Sequence, residues 1–327
     1  MGVGSGTDAI ELALRACGVG LGDLVLTVSH TAVATVAAIE RCGATPALVD
    51  IDPVTFTMAP QALDSAAART RGASRAVVPV HLYGQPADMA AIMEIAKRYD
   101  LFVIEDCSQA HGASIGETHV GAFGHLSAFS FYPTKNLGAL GDAGMVLTND
   151  NDLATKAMSI HQYGWRRRNI SDVPGINSRM DEIQAAILNV KLQALDTDNR
   201  RRQAIARQYD LALDLSGLHL PEARPGVTHV YHQYVVRSSD RDALRQYLHE
   251  HGVGTLIHYP EPVHLQPAYI ERLPYAGSLV NTEAAARDVL SLPIFPQLSD
   301  DDVRVVTDRL MDWANGRSST RPARRAG

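Results

Sequence analysis

Ser130-Phe131-Tyr132-Pro133-Thr134-Lys135-Asn136-Leu137-Gly138 sets a lysine five residues beyond a serine, after the apolar pair Ala128 and Phe129 and ahead of Gly141 and Gly144. The pattern reads as a strand that delivers an amine into a pocket. Most lysines are solvated surface charges, so the reading depends on what lies upstream. Leu101-Phe102-Val103-Ile104 is a short apolar run ending in Glu105-Asp106. A buried parallel strand presents a carboxylate in this way at its C-terminal end, where open α/β sheets bind ligands. Ser5-Gly6-Thr7-Asp8 opens a helical pattern, and the free amides of a helix N-terminus serve either a cap or a phosphate.

At 327 residues the chain is long enough for a sizeable core and about two domains. A hydrophobic content of 46% and a charged content of 20% indicate a globular protein and neither disorder nor a membrane span. A formal charge of −6 gives no global basis for nucleic-acid binding. Cys17, Cys42 and Cys107 show no paired spacing, which suits reduced thiols in a cytoplasm, and the N-terminus has no signal-peptide pattern. The histidines, including His111, His119 and His125, show no metal-ligand spacing, so no metal is expected.

Strand-like and helical segments then alternate. A helix over 5–17 precedes strand Leu24–Val28, helix Thr31–Cys42 and strand Thr45–Val49. Helix Pro60–Arg69, strand Ala76–Val80, helix Asp88–Tyr99 and strand Leu101–Ile104 continue the series. The pattern predicts an α/β protein with a mainly parallel sheet covered by helices on both faces. Strands at Ser127–Phe131 and Met145–Thr148 flank Lys135, and Asn151–Tyr163 is helical. The run Trp165-Arg166-Arg167-Arg168 is either a solvated face or a contact for a substrate diphosphate. Asp181–Leu195 is amphipathic, and the domain boundary is placed near Arg200–Ala204. This gives a large domain over 1–204, a small domain over 205–316 and a disordered tail over 317–327.

A phosphate seat, an aspartate and a lysine, in that order, match one cofactor. Pyridoxal 5′-phosphate needs an amine for its Schiff base, an anion beside its pyridine nitrogen and donors for its phosphate. The chain here resembles the DegT/DnrJ/EryC1/StrS sugar aminotransferases, within fold type I of the pyridoxal phosphate enzymes. The resemblance is carried over nearly the whole length by GSGTDAI, VSHTAVATVAAI, LYGQPADM, VIEDCSQAHGA, FSFYPTKNLGALGDAG, NSRMDEIQAAIL, IHYPEPVHLQ and LSLPIFP.

That resemblance implies a three-layer large domain, a smaller α+β C-terminal domain and a set of roles. Lys135 would carry the Schiff base and move a proton, and Asp106 would face the pyridine nitrogen; on the residues alone, Asp106 is also readable as a helix cap or surface pair. Gln109 would lie near the ring, or make a loop hydrogen bond. Gly6, Thr7 and Ser130 would hold the phosphate, joined by Asn177 from the neighbouring subunit, so that a homodimer with shared active sites is implied. His258, Tyr259 and His264, together with Arg179, would lie near the sugar; on the residues alone the histidines read first as satisfied loop residues.

The implied reaction moves an amino group from L-glutamate to a nucleotide-linked keto-deoxysugar. Asn177-Ser178-Arg179-Met180-Asp181 looks more like the 3-keto enzymes than the 4-keto enzymes, making a dTDP-3-keto-6-deoxyhexose the leading substrate and a 4-keto sugar the alternative. Two departures from the family pattern stand out. Relatives carry a further segment ahead of the motif that starts at Gly4, leaving a non-catalytic binder as a rival reading. Ala32 replaces an aromatic ring expected over the cofactor, so that stacking must come from elsewhere, with His30 a candidate. A sugar dehydratase of the same family is disfavoured because such enzymes lack the lysine present at Lys135.

Overall fold

A computed structural model describes residues 1–214, 216–273 and 278–320. In chain order the first half consists of β1 (Gly2–Val3), α1 (Gly6–Ala16), β2 (Leu24–Val28), α2 (Val33–Arg41), β3 (Thr45–Val49), α3 (Pro60–Arg69), β4 (Ser74–Val78), α4 (Met89–Tyr99) and β5 (Phe102–Asp106). A small excursion, β6 (Ser114–Ile115) and β7 (Thr118–His119), precedes β8 (Leu126–Ser130), β9 (Gly144–Leu147) and α5 (Asn151–Ile160). Next come the hairpin β10 (Trp165–Arg167) and β11 (Ile170–Ser171), then α6 (Glu182–Leu192) and α7 (Leu195–Leu213). The chain ends with β12 (Val227–Thr228), β13 (Tyr234–Arg237), α8 (Arg241–Glu250), α9 (Val280–Asp288), β14 (Val289–Leu292) and α10 (Asp300–Thr320).

Seven strands form the main sheet in the order β1-β9-β8-β5-β4-β2-β3. From β3 to β8 every pairing is parallel; β9 and β1 close one edge antiparallel. Alternation along the strands feeds two cores. Leu24, Leu26, Val77 and Val103 meet Leu63 of α3 and Ile92 of α4 on one face. Val25, Ala76, Val78 and Ile104 meet Ile10 of α1, Ile39 of α2 and Leu153 of α5 on the other. All five residues of β2 are buried, as a parallel strand covered on both faces requires.

A third core, built from α7, α8, α10, β13 and β14, holds the smaller C-terminal unit. Tyr209 and Tyr234 are fully buried there, and both keep their hydroxyls bonded, to the Pro293 carbonyl at 2.7 Å and to Asp210 Oδ1 at 2.6 Å. Burying so much aromatic surface is favourable only when the polar end finds a partner.

Several boundaries move. The strand that carries the carboxylates is Phe102–Asp106, which takes Glu105 and Asp106 into the ladder. The domain boundary placed near Arg200–Ala204 falls inside the continuous helix α7. The basic connection at Trp165 is a hairpin. The apolar side of α6 lies largely open: Leu188 is its one buried residue, while Ile183 is 68% and Val190 75% exposed. Helix α10 reaches Thr320, and the rest of the tail expected over 317–327 lies outside the described residues.

Candidate active site

Asp106 leaves β5 on the face toward α1 and α2, because residues 102, 104 and 106 share one side of the strand. Its Oδ2 accepts from the Thr35 hydroxyl at 2.9 Å and its Oδ1 from the Ser108 amide at 3.1 Å. Glu105 points the other way. It accepts from the amides of Gly121, Phe123 and Gly124 at 2.7–2.8 Å and from His81 Nε2 at 3.0 Å. Burial raises the Glu105 pKa, but the His81 contact and those amides outweigh it, and the net shift is downward. His81 Nδ1 accepts the Ala87 amide at 3.0 Å, so its hydrogen sits on Nε2.

Ser130 ends β8 on the same face as Asp106 and backs onto α1. A Cβ on Gly6 would meet Ser130 Cβ at 2.6 Å and its Cα at 3.1 Å, so only glycine admits this approach. Ser5 caps α1 by accepting the Asp8 amide at 3.1 Å. Among the described residues the amides of Gly6 and Thr7 have no acceptor. The Ser5 cap leaves the Gly6 and Thr7 N–H groups open, so the capping and anion-seat readings of GSGTD are compatible, on different N–H groups.

Lys135 sits in the tight loop after β8. Its amide donates to the Tyr132 carbonyl at 2.9 Å, and the Ala139 amide returns to Phe131 at 2.8 Å. A Cβ on Gly138 would lie 2.5 Å from the Pro133 carbonyl oxygen, which explains the glycine. The next residue, Asn136, is clamped by its side chain to Asn199, the Val230 carbonyl and His232 at 2.9–3.1 Å. The Lys135 amine makes no hydrogen bond or ion pair among the described residues. Burial lowers its pKa, and the charge of Asp106 opposes that shift only in part. An amine with a lowered pKa is a better nucleophile and base near neutral pH. His111 and His232 lie within electrostatic reach. Burial, then the charge of Lys135, pushes His111 down to about 3 and His232 well below its ordinary value.

Gln109 spans two segments: its Oε1 accepts the Tyr83 amide at 2.8 Å and its Nε2 donates to the Tyr259 hydroxyl at 2.9 Å. Burial pushes the Tyr259 phenol up to about 12, against the Gln109 bond and with the help of Asp106. The Tyr83 hydroxyl donates to the His258 carbonyl and lies 2.7 Å from His30 Nε2. His258 Nδ1 meets Ser291 Oγ at 2.8 Å, and burial, then Lys135, lowers its pKa. His264 is held by Ser29 Oγ at 2.8 Å and Glu283 at 3.5 Å.

Gly6, Ser130, Asp106, Lys135, Gln109, Tyr259 and His258 thus converge at the C-terminal ends of β5 and β8. Asn177 and Arg179 are exposed and flank Ser178, whose hydroxyl bonds the Gly4 amide at 2.9 Å and Asp8 at 2.7 Å. His30 is fully buried and hemmed in by Phe56, Tyr83 and Tyr259, so its ring braces that aromatic group rather than facing open space. Thr35, Tyr83 and Asn136 escaped the sequence reading. A threonine in an apolar helix carries no distinguishing signal, and the left-handed backbone of Tyr83, with φ 59, is unusual for a tyrosine.

His81, Glu105 and Cys107 bring one ligand atom each within 4.8 Å. Their capacity is already committed: the Glu105 oxygens accept four bonds, both ring nitrogens of His81 are bonded, and burial holds the Cys107 thiol well up. His81 and Glu105 form a hydrogen-bonded plug on the opposite face of β5 from Asp106.

A profile of the DegT/DnrJ/EryC1/StrS aminotransferase family matches residues 1–311. The dTDP-3-amino-3,4,6-trideoxy-alpha-D-glucose transaminase of Streptomyces venezuelae is 45% identical over 315 residues, covering 96% of this chain and 82% of that protein. The crystal structure of S. venezuelae DesV in complex with a ketimine intermediate aligns with a TM-score of 0.92 and 44% identity, over 96% of this chain and 84% of that one. NtdA from Bacillus subtilis with bound cofactor PMP aligns with a TM-score of 0.89 and 33% identity, over 96% of this chain and 73% of that one. No described helix is long and apolar enough to cross a membrane. The chain belongs to the DegT/DnrJ/EryC1/StrS family and is a pyridoxal-phosphate-dependent sugar aminotransferase.

Proposed function

We propose that this enzyme transfers the amino group of L-glutamate to a dTDP-linked 3-keto-6-deoxyhexose. The sugar class rests on likeness to the S. venezuelae transaminase and on the segment Asn177-Ser178-Arg179-Met180-Asp181. The observation that carries the site assignment is the relation of Lys135 to Asp106. The two charges feel one another, yet they form no ion pair among the described residues. A half-buried amine and a buried carboxylate left apart suit a flat cationic ring between them.

The residues present fit the cofactor. The unbonded amides of Gly6 and Thr7, with Ser130 packed against Gly6, form a cradle for its phosphate. Asp106 would face the pyridine nitrogen, Gln109 would border the ring, and Lys135 would hold the aldehyde carbon. Bound there, the cofactor supplies an electron sink for the carbon that loses or gains the amino group. Lys135 Nζ would move a proton from the glutamate carbon that loses the amino group to the neighbouring cofactor carbon, and in the second half-reaction from that carbon to the sugar carbon that gains the amino group. Its lowered pKa makes it competent in both directions. Burial of the neighbouring histidines in the neutral form avoids a competing cation.

His258, Tyr259, His264 and Arg179 would border the sugar. A homodimer with shared sites fits the exposed apolar face of α6 and Leu140, 73% exposed in the loop after Lys135. Asn177, itself exposed, would reach the phosphate of the neighbouring copy. The test is to incubate the enzyme with L-glutamate and a panel of keto-sugar nucleotides, following return of the aldehyde form by absorbance. Turnover of the dTDP-3-keto sugar above the 4-keto and UDP-linked compounds supports the reading; preference for a 4-keto sugar removes the substrate assignment. Light scattering that gives a monomer in the active sample would remove the shared-site dimer.

A further inference from the structure

We propose that Thr35 and Thr31 are positioning residues that aim the Asp106 carboxylate at the reactive ring. The inference rests on the cofactor reading above. Thr35 lies in the first turn of α2, fully buried, and Thr31 is 2% exposed. A threonine in this position commonly turns its hydroxyl onto its own helix. Thr35 instead reaches a residue 71 positions along the chain, Asp106 Oδ2 at 2.9 Å, while Thr31 Oγ1 lies 3.1 Å behind it.

Counting hydrogens fixes the direction. An ionised carboxylate only accepts, so the single Thr35 hydrogen is donated to Asp106. Thr35 then has only lone pairs left for Thr31, and Thr31 must donate to it. The chain Thr31 to Thr35 to Asp106 therefore has one orientation, and each bond polarises the next. The Ser108 amide holds the other carboxylate oxygen at 3.1 Å. With each oxygen held from its own side, the plane of the carboxylate cannot turn. Helix α2 has Ala32 at its N-cap position, without a side-chain cap, and no acidic residue in its first turn. The Asp106 charge lies against that uncapped turn, where the helix dipole favours an anion.

A carboxylate locked in one plane presents the same lone pair to the ring nitrogen at every turnover. Loss of the Thr35 hydroxyl would let it rotate or bond to water. That change affects rate more than substrate binding, because among the described residues neither threonine is hydrogen-bonded to the sugar segment at His258–Tyr259.

The test uses the holoenzyme loaded with cofactor carrying 15N at the pyridine nitrogen, comparing Thr35→Val, Thr35→Ser and Thr31→Val, with Asp106→Asn as reference. Thr35→Val keeps the shape and removes the hydroxyl. It should lower kcat by about 10- to 100-fold, the range for a lost bond to a charged group, with the glutamate KM within about twofold. It should also move the 15N resonance part of the way toward that of Asp106→Asn. Thr35→Ser should recover kcat to within about threefold, and Thr31→Val should fall between. The melting temperature of each cofactor-free variant reports whether it folds. A parental resonance and kcat in Thr35→Val, with Asp106→Asn shifted, overturns the relay and leaves the site assignment standing. Equal loss in Thr35→Val and Thr35→Ser assigns the effect to packing and also overturns it. An unshifted Asp106→Asn removes the cofactor reading itself.

Discussion

Glu105 and Asp106, adjacent at the end of β5, project to opposite faces of the sheet and do different work. Glu105 is bound by three backbone amides and His81 on the α3/α4 side, whereas Asp106 has two donors among the described residues and would face the proposed cofactor cradle. Alternation along a strand separates two like charges that share one peptide bond. Replacing Glu105 with glutamine removes a buried charge that four donors surround. Urea unfolding should show a loss on the order of 3 kcal/mol, with the loop over 121–124 exchanging its amides faster. Parental stability would show those bonds to be dispensable.

Gly6→Ala places a methyl group 2.6 Å from Ser130 Cβ, with strand backbone directly behind it. β8 or α1 must shift, at a cost of about 1 to 3 kcal/mol. Because the same shift spoils the unbonded amides of Gly6 and Thr7, cofactor affinity measured by equilibrium dialysis should fall about tenfold or more. Unchanged affinity would move the phosphate seat elsewhere.

Tyr83→Phe deletes a hydroxyl that serves His30 Nε2 and the His258 carbonyl at once. Hydrogen exchange should quicken at the amides of residues 256–259, and stability should fall by about 1 to 3 kcal/mol because both partners are buried or half-buried. An exchange pattern identical to the parent's would show that Tyr83 does not restrain this segment.

His229 gives a prediction for pH. Its ring stacks on Tyr231 with centroids 4.0 Å apart, its Nδ1 accepts the Tyr231 amide at 2.9 Å, and burial pushes it down to about 3. Below pH 6.5 the unfolded chain takes up a proton that the folded chain refuses, so stability falls as pH drops from about 6.5 toward 3. The slope from this one group is about 1.4 kcal/mol per pH unit. His229→Gln should flatten the stability profile by that amount between pH 6 and 4, as followed by urea titrations. His30, held down to about 4 by burial and then by the charge of Arg237, contributes in the same direction.

Much of this was legible in the sequence where hydrophobic period and breakers agree. Leu24–Val28, Thr45–Val49 and Pro60–Arg69 occur with the bounds read from the chain, because each is an apolar or helix-forming run bounded by glycine, proline or aspartate. Lys135 and Asp106 were visible through the strands that precede them. Thr35, Tyr83 and Asn136 were not, since their roles depend on partners 71, 175 and 63 residues away. Local patterns carry no trace of such pairings. The exposed apolar side of α6 is a related case: periodicity identifies an apolar face but not which surface covers it.

The central claim is that the amine at Lys135 carries the cofactor, and borohydride reduction of the loaded, folded enzyme followed by peptide mapping tests it most directly. The modification should fall on the peptide containing Phe131 to Gly138, at Lys135, and Lys135→Ala should retain its fold, lose the label and lose transamination. A label on another lysine, no label at all, or full activity in Lys135→Ala would contradict the account.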